Sequence, residues 1–106
     1  MKSILPLACS LNPVDLVLRA RANAALFRQA IRVREQPTGY AFAFPAETTS
    51  VQSLLEFITA ERACCPYFTF QLTFPSPHRF VWLTVRGRQG VKDLVREAFV
   101  SLAPGR

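Results

Sequence analysis

The first part of the chain has the apolar spacing of an amphipathic helix. Apolar residues from Val14 to Leu26 recur every three or four positions, which predicts a helix over about 13–28. Asn12 is a favourable N-cap, and Pro13 suits the first helical position because the amide it lacks would be unpaired there.

The period then changes to that of strands. Alternation over 31–34 and again over 40–44, with a Pro-Thr-Gly turn between them, predicts two antiparallel strands. Thr48, Thr49 or Ser50 is expected to cap a second helix, which Pro66 ends. The apolar stripe of this helix is predicted to contain Val51, Leu54, Leu55, Ile58 and Cys65.

The same order of elements follows a second time. Strands are predicted over 68–74 and 80–85, with a Pro-Ser-Pro turn between them, and a last helix over 91–102. The fourth strand is apolar on both faces. We therefore expect the side of the sheet away from the helices to be covered, by the first helix or by a second subunit, and we expect a homo-oligomer.

The two halves match each other in sequence, and this defines the expected fold. The matched pairs are Pro37 with Pro77, Tyr40 with Phe80, Phe42 with Trp82, Val51 with Val91, Leu54 with Leu94, Leu55 with Val95, and Ile58 with Ala98. The prediction is a two-layer α+β domain of order α-ββα-ββα, a four-stranded antiparallel sheet with helices packed on one face. A single domain over 1–106 is expected, divided into an N-terminal arm (1–12), a helix with the first ββα unit (13–66) and the second unit (67–106).

Composition narrows the class of protein. Half of the residues are hydrophobic and 19% are charged, which excludes a disordered chain, and no apolar run is long enough to cross a membrane. The net charge of +6 suggests an anionic partner such as nucleic acid, a phosphate or a carboxylate. Because the arginines are dispersed, with no run of like charges, ordinary solvated surfaces are the favoured explanation of this charge.

The cysteine count indicates a reducing compartment. Three cysteines are too few, and odd in number, for a disulfide scaffold, so a cytoplasmic location is expected. The segment before Cys9 imitates a lipoprotein signal, but its apolar part is shorter than the roughly 7–15 residues that a signal peptide needs.

Candidate chemistry lies where the second helix ends, at the adjacent cysteines Cys64 and Cys65. The negative end of the helix dipole opposes a thiolate nucleophile there and favours a bound cation. Thiolates select soft ions such as Zn²⁺, Cu(I) or Hg²⁺. The alternative is that Cys65 is only a small hydrophobe of the core.

Two adjacent thiols need a further ligand to complete a metal site. Cys9 or Glu61 is the candidate third ligand, and Cys9 is also the candidate resolving thiol if the chemistry is redox. Glu61 and Arg62 are candidate groups that orient the ligands and balance their charge.

The residues Cys9-Ser10-Leu11, Gly39 to Pro45, and Glu61-Arg62-Ala63-Cys64-Cys65-Pro66-Tyr67 resemble a group of small bacterial proteins. That group shares a Cys-x-Leu start and a Glu-Arg-x-Cys-Cys-Pro-aromatic motif. The resemblance covers most of the chain and implies no particular activity.

The layout of a helix followed by two ββα units is similar to pterin carbinolamine dehydratase, which has His-His-Pro where Cys64-Cys65-Pro66 stands here. This resemblance implies the fold and the place of a pocket. It does not imply the dehydratase reaction, since a thiol does not replace imidazole in acid–base chemistry near neutral pH. The alternative function is a small-molecule enzyme or binding protein using Arg62, Tyr67 and Asp93, and a third is a nucleic-acid-binding or coactivator module.

Overall fold

A computed structural model describes residues 13–104 of the chain. Three α-helices, four strands and a short 3₁₀ helix follow one another in the predicted order. They are α1 (Pro13–Phe27), β1 (Arg32–Gln36), β2 (Gly39–Pro45), α2 (Thr48–Cys64), β3 (Thr69–Thr73), β4 (Phe80–Arg86), α3 (Val91–Ala98) and the 3₁₀ helix Val100–Leu102.

The four strands form one antiparallel sheet in the order β1-β2-β4-β3. Phe42 pairs with Val33 on one side and with Leu83 on the other, so these three side chains share the face that the helices cover. On β3, Leu72 pairs with Leu83 and joins the same face. The predicted α+β fold, with its antiparallel sheet and helices packed against it, is confirmed.

The core between helices and sheet is built around Phe27, the last residue of α1. Its fully buried ring makes edge contacts with Phe42 and Phe57 at centroid distances of 4.9 and 5.2 Å, and stacks on Phe99 at 4.9 Å. Edge and stacked arrangements suit the charge distribution of aromatic rings. Because these rings come from α1, β2, α2 and the end of α3, one cluster ties the helices to the sheet.

The start of α2 differs from the prediction that Thr48, Thr49 or Ser50 caps it. The N-cap is Glu47, whose side chain makes no capping hydrogen bond, and the helix begins at Thr48. The amide of Val51 already donates to the Glu47 carbonyl at 2.9 Å. The first helical turn therefore begins closer to the N-terminus of the chain than the side-chain capping preferences indicate.

The stripe predicted for α2 is also partly wrong. Leu55 is half exposed, whereas Phe57 is buried and packs against the sheet side. Leu54 is buried as predicted, and Cys65 is buried just beyond the last helical residue. The face of α2 that meets the core is therefore rotated toward Phe57.

The end of the chain differs from the single helix predicted over 91–102. The α-helical part ends at Ala98, and a 3₁₀ turn over Val100–Leu102 follows. Phe99, between them, has a non-helical backbone that directs its ring into the aromatic cluster.

The internal match between the two halves is wrong by one residue in the strands. Phe42 faces the helices, but its proposed counterpart Trp82 pairs with Ala43 and lies on the opposite face. The structural counterpart of Phe42 is Leu83, its own cross-strand neighbour. A shift of one residue moves every strand side chain to the other face.

The expectation that α1 covers the other side of the sheet is wrong, because α1 packs on the helix side through Phe27. On that other side, within residues 13–104, Phe80 is exposed and Trp82 is shielded in part by Arg34. The homo-oligomer stays a prediction that light scattering on the purified protein tests. Four apolar side chains in the first half of α1 are exposed: Val14, Leu16, Val17 and Leu18.

Candidate functional site

A buried carboxylate lies at the end of α2. Glu61 is only 6% exposed, and its Oε2 accepts hydrogen bonds from Arg19 Nη2 and, at 3.5 Å, from Asn23 Nδ2. Both donors lie on one side of α1, since residues four apart share a helix face. The pair of helices thus holds a charged group away from water with its charge balanced across the interface.

Cys65 follows Glu61 by one helical turn and is tied to it twice. The Cys65 amide donates to the Glu61 carbonyl at 2.7 Å, which makes Cys65 the C-cap of α2. Burial of the thiol, then the negative charge of Glu61 and the hydrogen bond to it, raise the pKa of Cys65 to about 11, while Arg19 opposes this shift. The thiol is therefore protonated at neutral pH.

A cleft of about 340 Å³ opens between α1 and α2 beside these residues. Arg19 and Asn23 line it, together with the edges of Leu26 and Phe57. The same two α1 side chains therefore both hold Glu61 and face the cleft. A polar rim over an apolar floor is the usual construction of a small-molecule pocket, and the volume lies at the lower end of the usual range.

Three predicted site residues lie elsewhere among the described residues. Arg62 is exposed on α2, and the ionic partner of Glu61 is Arg19 instead. Tyr67 is half-buried at the start of the second ββα unit. Asp93 is exposed on α3 and pairs with Arg96 at 3.0 Å.

Two further predicted site groups lie outside the described part of the structure, namely Cys9 and the side chain of Cys64. Residues 13–104 contain no group of three or more His, Cys, Asp or Glu side chains arranged to hold a metal ion. Within this range Cys65 and Glu61 are the members of the predicted ligand set that come together.

The chain has no significant match among protein-family models, curated proteins or solved structures. Within residues 13–104, no helix combines the length and the apolar character needed to cross a bilayer.

The prediction from sequence located the Glu61–Cys65 segment but missed Arg19 and Asn23. Their four-residue spacing on one side of α1 was visible, yet nothing local indicates that this side meets Glu61. The arrangement that results is a protonated thiol beside a buried, neutralised carboxylate at the negative end of a helix. Chemically, a soft cation that binds the sulfur of such a thiol displaces its proton, which is released to water.

Proposed function

We propose that this protein is a small thiol-site protein that binds a soft metal ion through Cys64 and Cys65. The observation that carries the proposal is the contact of the Cys65 thiol with the buried carboxylate of Glu61. If the Cys65 thiol loses its proton, the thiolate adds negative charge beside the Glu61 carboxylate and the C-terminal end of α2, and Arg19 alone does not balance that charge. A bound cation offsets that charge, and a thiophilic ion such as Cu(I), Hg²⁺ or Zn²⁺ matches the sulfur donors.

In this proposal Glu61 orients the thiol or supplies an oxygen ligand, and Arg19 balances its charge before the ion arrives. Cys9 is the proposed third sulfur ligand. Thiol redox chemistry is the less favoured form of the proposal, because a reactive cysteine needs a lowered pKa and the pKa of Cys65 is raised. A cytoplasmic, reducing location agrees with a site that depends on free thiols.

Metal titration of the reduced protein tests this proposal. Cu(I), Hg²⁺ and Zn²⁺ are each added in competition with a chelator, and binding is followed by thiolate-to-metal absorbance and native mass spectrometry. We expect one ion per chain, lost in the Cys64→Ser, Cys65→Ser double variant. Affinity of the wild-type chain no higher than that of the double variant contradicts the proposal.

Single substitutions separate the roles of the ligands. Glu61→Gln is expected to weaken binding by about 10- to 100-fold, the usual effect of losing a group that orients a ligand. Glu97→Gln removes an exposed carboxylate on α3 and serves as the control with the same change of charge. Cys9→Ser is expected to lower affinity if Cys9 is the third ligand, and equal losses for Glu61→Gln and Glu97→Gln would contradict a local role for Glu61.

The cleft between α1 and α2 favours a second candidate, a small-molecule enzyme or binding protein. Its polar lining includes Arg19, Asn23 and Glu56, so a planar ligand that carries both hydrogen-bond acceptors and donors is the expected class. Thermal shift measurements with pterins and other planar anions test it. A shift that survives Cys64→Ser and Cys65→Ser but disappears in Asn23→Leu supports this candidate over the metal site, and no shift with any compound contradicts it.

A further inference from the structure

On the side of the sheet away from the helices, the outward positions of the four strands include arginines and no acidic residue. The strand register places the outward positions on this side, which we call the open face. Its residues are Arg32, Arg34, Gln36, Gly39, Ala41, Ala43, Pro45, Thr69, Gln71, Thr73, Phe80, Trp82, Thr84 and Arg86. Three of them are arginines, and none is aspartate or glutamate.

Some of the basic residues on the helix side are paired with carboxylates. There, Lys92 pairs with Glu35 at 2.6 Å and Arg19 pairs with Glu61. Among residues 13–104, no ion pair involves Arg32, Arg34 or Arg86. Their charges are therefore available to an external anion. Arg32 and Arg34 both lie on β1, which is an edge strand, so two of the three arginines lie along one edge of the open face.

Small side chains occupy the middle of the open face, and the planar groups of Trp82 and Arg34 lie beside them. Ala41, Ala43 and Thr84 are small and buried, so the central strands present a shallow floor. Trp82 stands next to this floor, and the Arg34 guanidinium lies 4.6 Å from the centroid of its ring. Arginine from one strand and tryptophan from another thus form a cation–π contact on this face of the sheet.

We propose that the open face binds single-stranded nucleic acid. The arginines would contact phosphates, and bases would stack on the guanidinium plane of Arg34 and on the part of the Trp82 ring that Arg34 leaves exposed, since both ring and guanidinium surfaces accept bases. This inference is independent of the proposed metal site, whose residue Cys65 lies at the end of α2, on the helix side of the sheet.

Two other occupants fit the open face less well. A second copy of the chain placed on it face to face would oppose three arginines with three more, without a carboxylate on either side. A duplex is disfavoured by shape: four strands span about 14 Å before side chains are added, whereas the major groove is about 12 Å wide and admits a helix or a two-stranded ribbon.

Fluorescence anisotropy with labelled single strands of about 12 nucleotides, in mixed-sequence RNA and DNA forms, measures the binding. If three arginines contact phosphates, the logarithm of the association constant falls with the logarithm of salt concentration with a slope of about −2, at roughly −0.7 for each contact. RNA and DNA are measured separately because a preference between them would identify contacts with the 2′-hydroxyl. A duplex of the same sequence is expected to bind more weakly.

Variants then assign the binding to the open face. Arg34→Gln is expected to reduce the salt slope by about 0.7, whereas Arg21→Gln, an exposed arginine of α1, changes the net charge equally and is expected to leave it unchanged. Trp82→Leu is expected to weaken binding roughly 5- to 150-fold, and Trp82→Phe to retain most of it. Circular dichroism confirms that each variant is folded.

Several outcomes would overturn the inference. Equal losses for Arg34→Gln and Arg21→Gln would mean that only net charge matters. Binding of heparin or anionic phosphatidylserine vesicles with the same affinity, and with no effect of Trp82→Leu, would mean a general polyanion surface. A wild-type dimer that Trp82→Leu dissociates, with no affinity for either strand, would assign the open face to a second copy.

Discussion

Arg19 and Glu61 form an ion pair that joins α1 to α2 in a largely dehydrated position. The Arg19 guanidinium donates to Glu61 Oε2, and the carboxylate also accepts the amide of Asn23. Glu61 is one turn before Cys65, so the pair fixes the environment of the thiol as well as the contact between the helices. Stability and thiol chemistry are thereby linked through one carboxylate.

Removing either member of the pair is expected to destabilise the fold. Arg19→Met leaves the Glu61 carboxylate buried without its cation, and the free energy of unfolding is expected to fall by about 2–3 kcal/mol. This is less than the roughly 3–5 kcal/mol lost when a fully buried pair is broken, because Arg19 keeps some contact with water. Denaturant unfolding measures the free energy of unfolding.

A double-mutant cycle with Glu61→Gln distinguishes pairing from simple packing. The double variant is expected to lose less than the sum of the two single losses, by about 1 kcal/mol or more. Arg96→Met breaks the exposed pair with Asp93 and is expected to leave the unfolding midpoint nearly unchanged. Strictly additive losses for Arg19 and Glu61 would contradict a direct interaction.

Alkylation of Cys65 is expected to be slow at neutral pH and to accelerate as the pH rises toward 11. The raised pKa keeps the thiol protonated, and the thiolate is the reactive form. The measurement uses a Cys9→Ser, Cys64→Ser variant, so that iodoacetamide reports on one thiol by mass spectrometry. Adding Glu61→Gln removes a negative charge and is expected to lower the pKa and increase the rate at pH 7.

The same shift makes stability depend on pH in a defined direction. Because the folded pKa of Cys65 lies above the ordinary value of 9.0, folding favours the protonated thiol. Its contribution is complete below about pH 9 and is lost as the pH rises to about 11. Cys65→Ser is expected to remove this part of the alkaline decline, and an unchanged decline would contradict the shift.

The order of the elements could be predicted from the sequence because each depends on local periodicity. The α1 spacing from Val14 to Leu26 and the alternation around Phe42 are properties of neighbouring residues. The position of Cys65 at a helix end followed from Pro66 for the same reason. These features need no knowledge of what packs against them.

The site and the strand faces depend on contacts distant in sequence, which local pattern does not contain. The partner of Glu61 is Arg19 on another helix, whereas the adjacent Arg62 points to solvent. Likewise, β4 is apolar on both sides, so its sequence does not distinguish Trp82 outward from Leu83 inward. Only pairing with β2 fixes that choice.

The aromatic cluster is expected to contribute more stability than any exposed aromatic residue. Phe27→Ala removes a fully buried ring that contacts rings from three other elements, and a loss of about 3–5 kcal/mol is expected from transfer and cavity terms together. Phe74→Ala is the matched control, since that ring is 44% exposed. Thermal and denaturant unfolding measure both, and equal losses would contradict the central place of Phe27.

Gly87 is expected to be required by close packing where β4 leads into α3. A Cβ there would lie 2.7 Å from a methyl carbon of Val91 and 2.9 Å from the backbone oxygen of Tyr67. Val91 is fully buried at the first position of α3, so it has little freedom to move. Gly87→Ala is therefore expected to lower the free energy of unfolding by about 1–3 kcal/mol.

A second substitution separates the two contacts of Gly87. In the Gly87→Ala background, Val91→Ala removes the methyl groups that the new Cβ meets. Adding Val91→Ala to Gly87→Ala is therefore expected to lower the free energy of unfolding by less than Val91→Ala does in the wild-type protein. The contact with the Tyr67 carbonyl remains, because it belongs to the backbone. A neutral Gly87→Ala variant, or losses that simply add, would show that β4 and α3 accommodate a side chain at this junction.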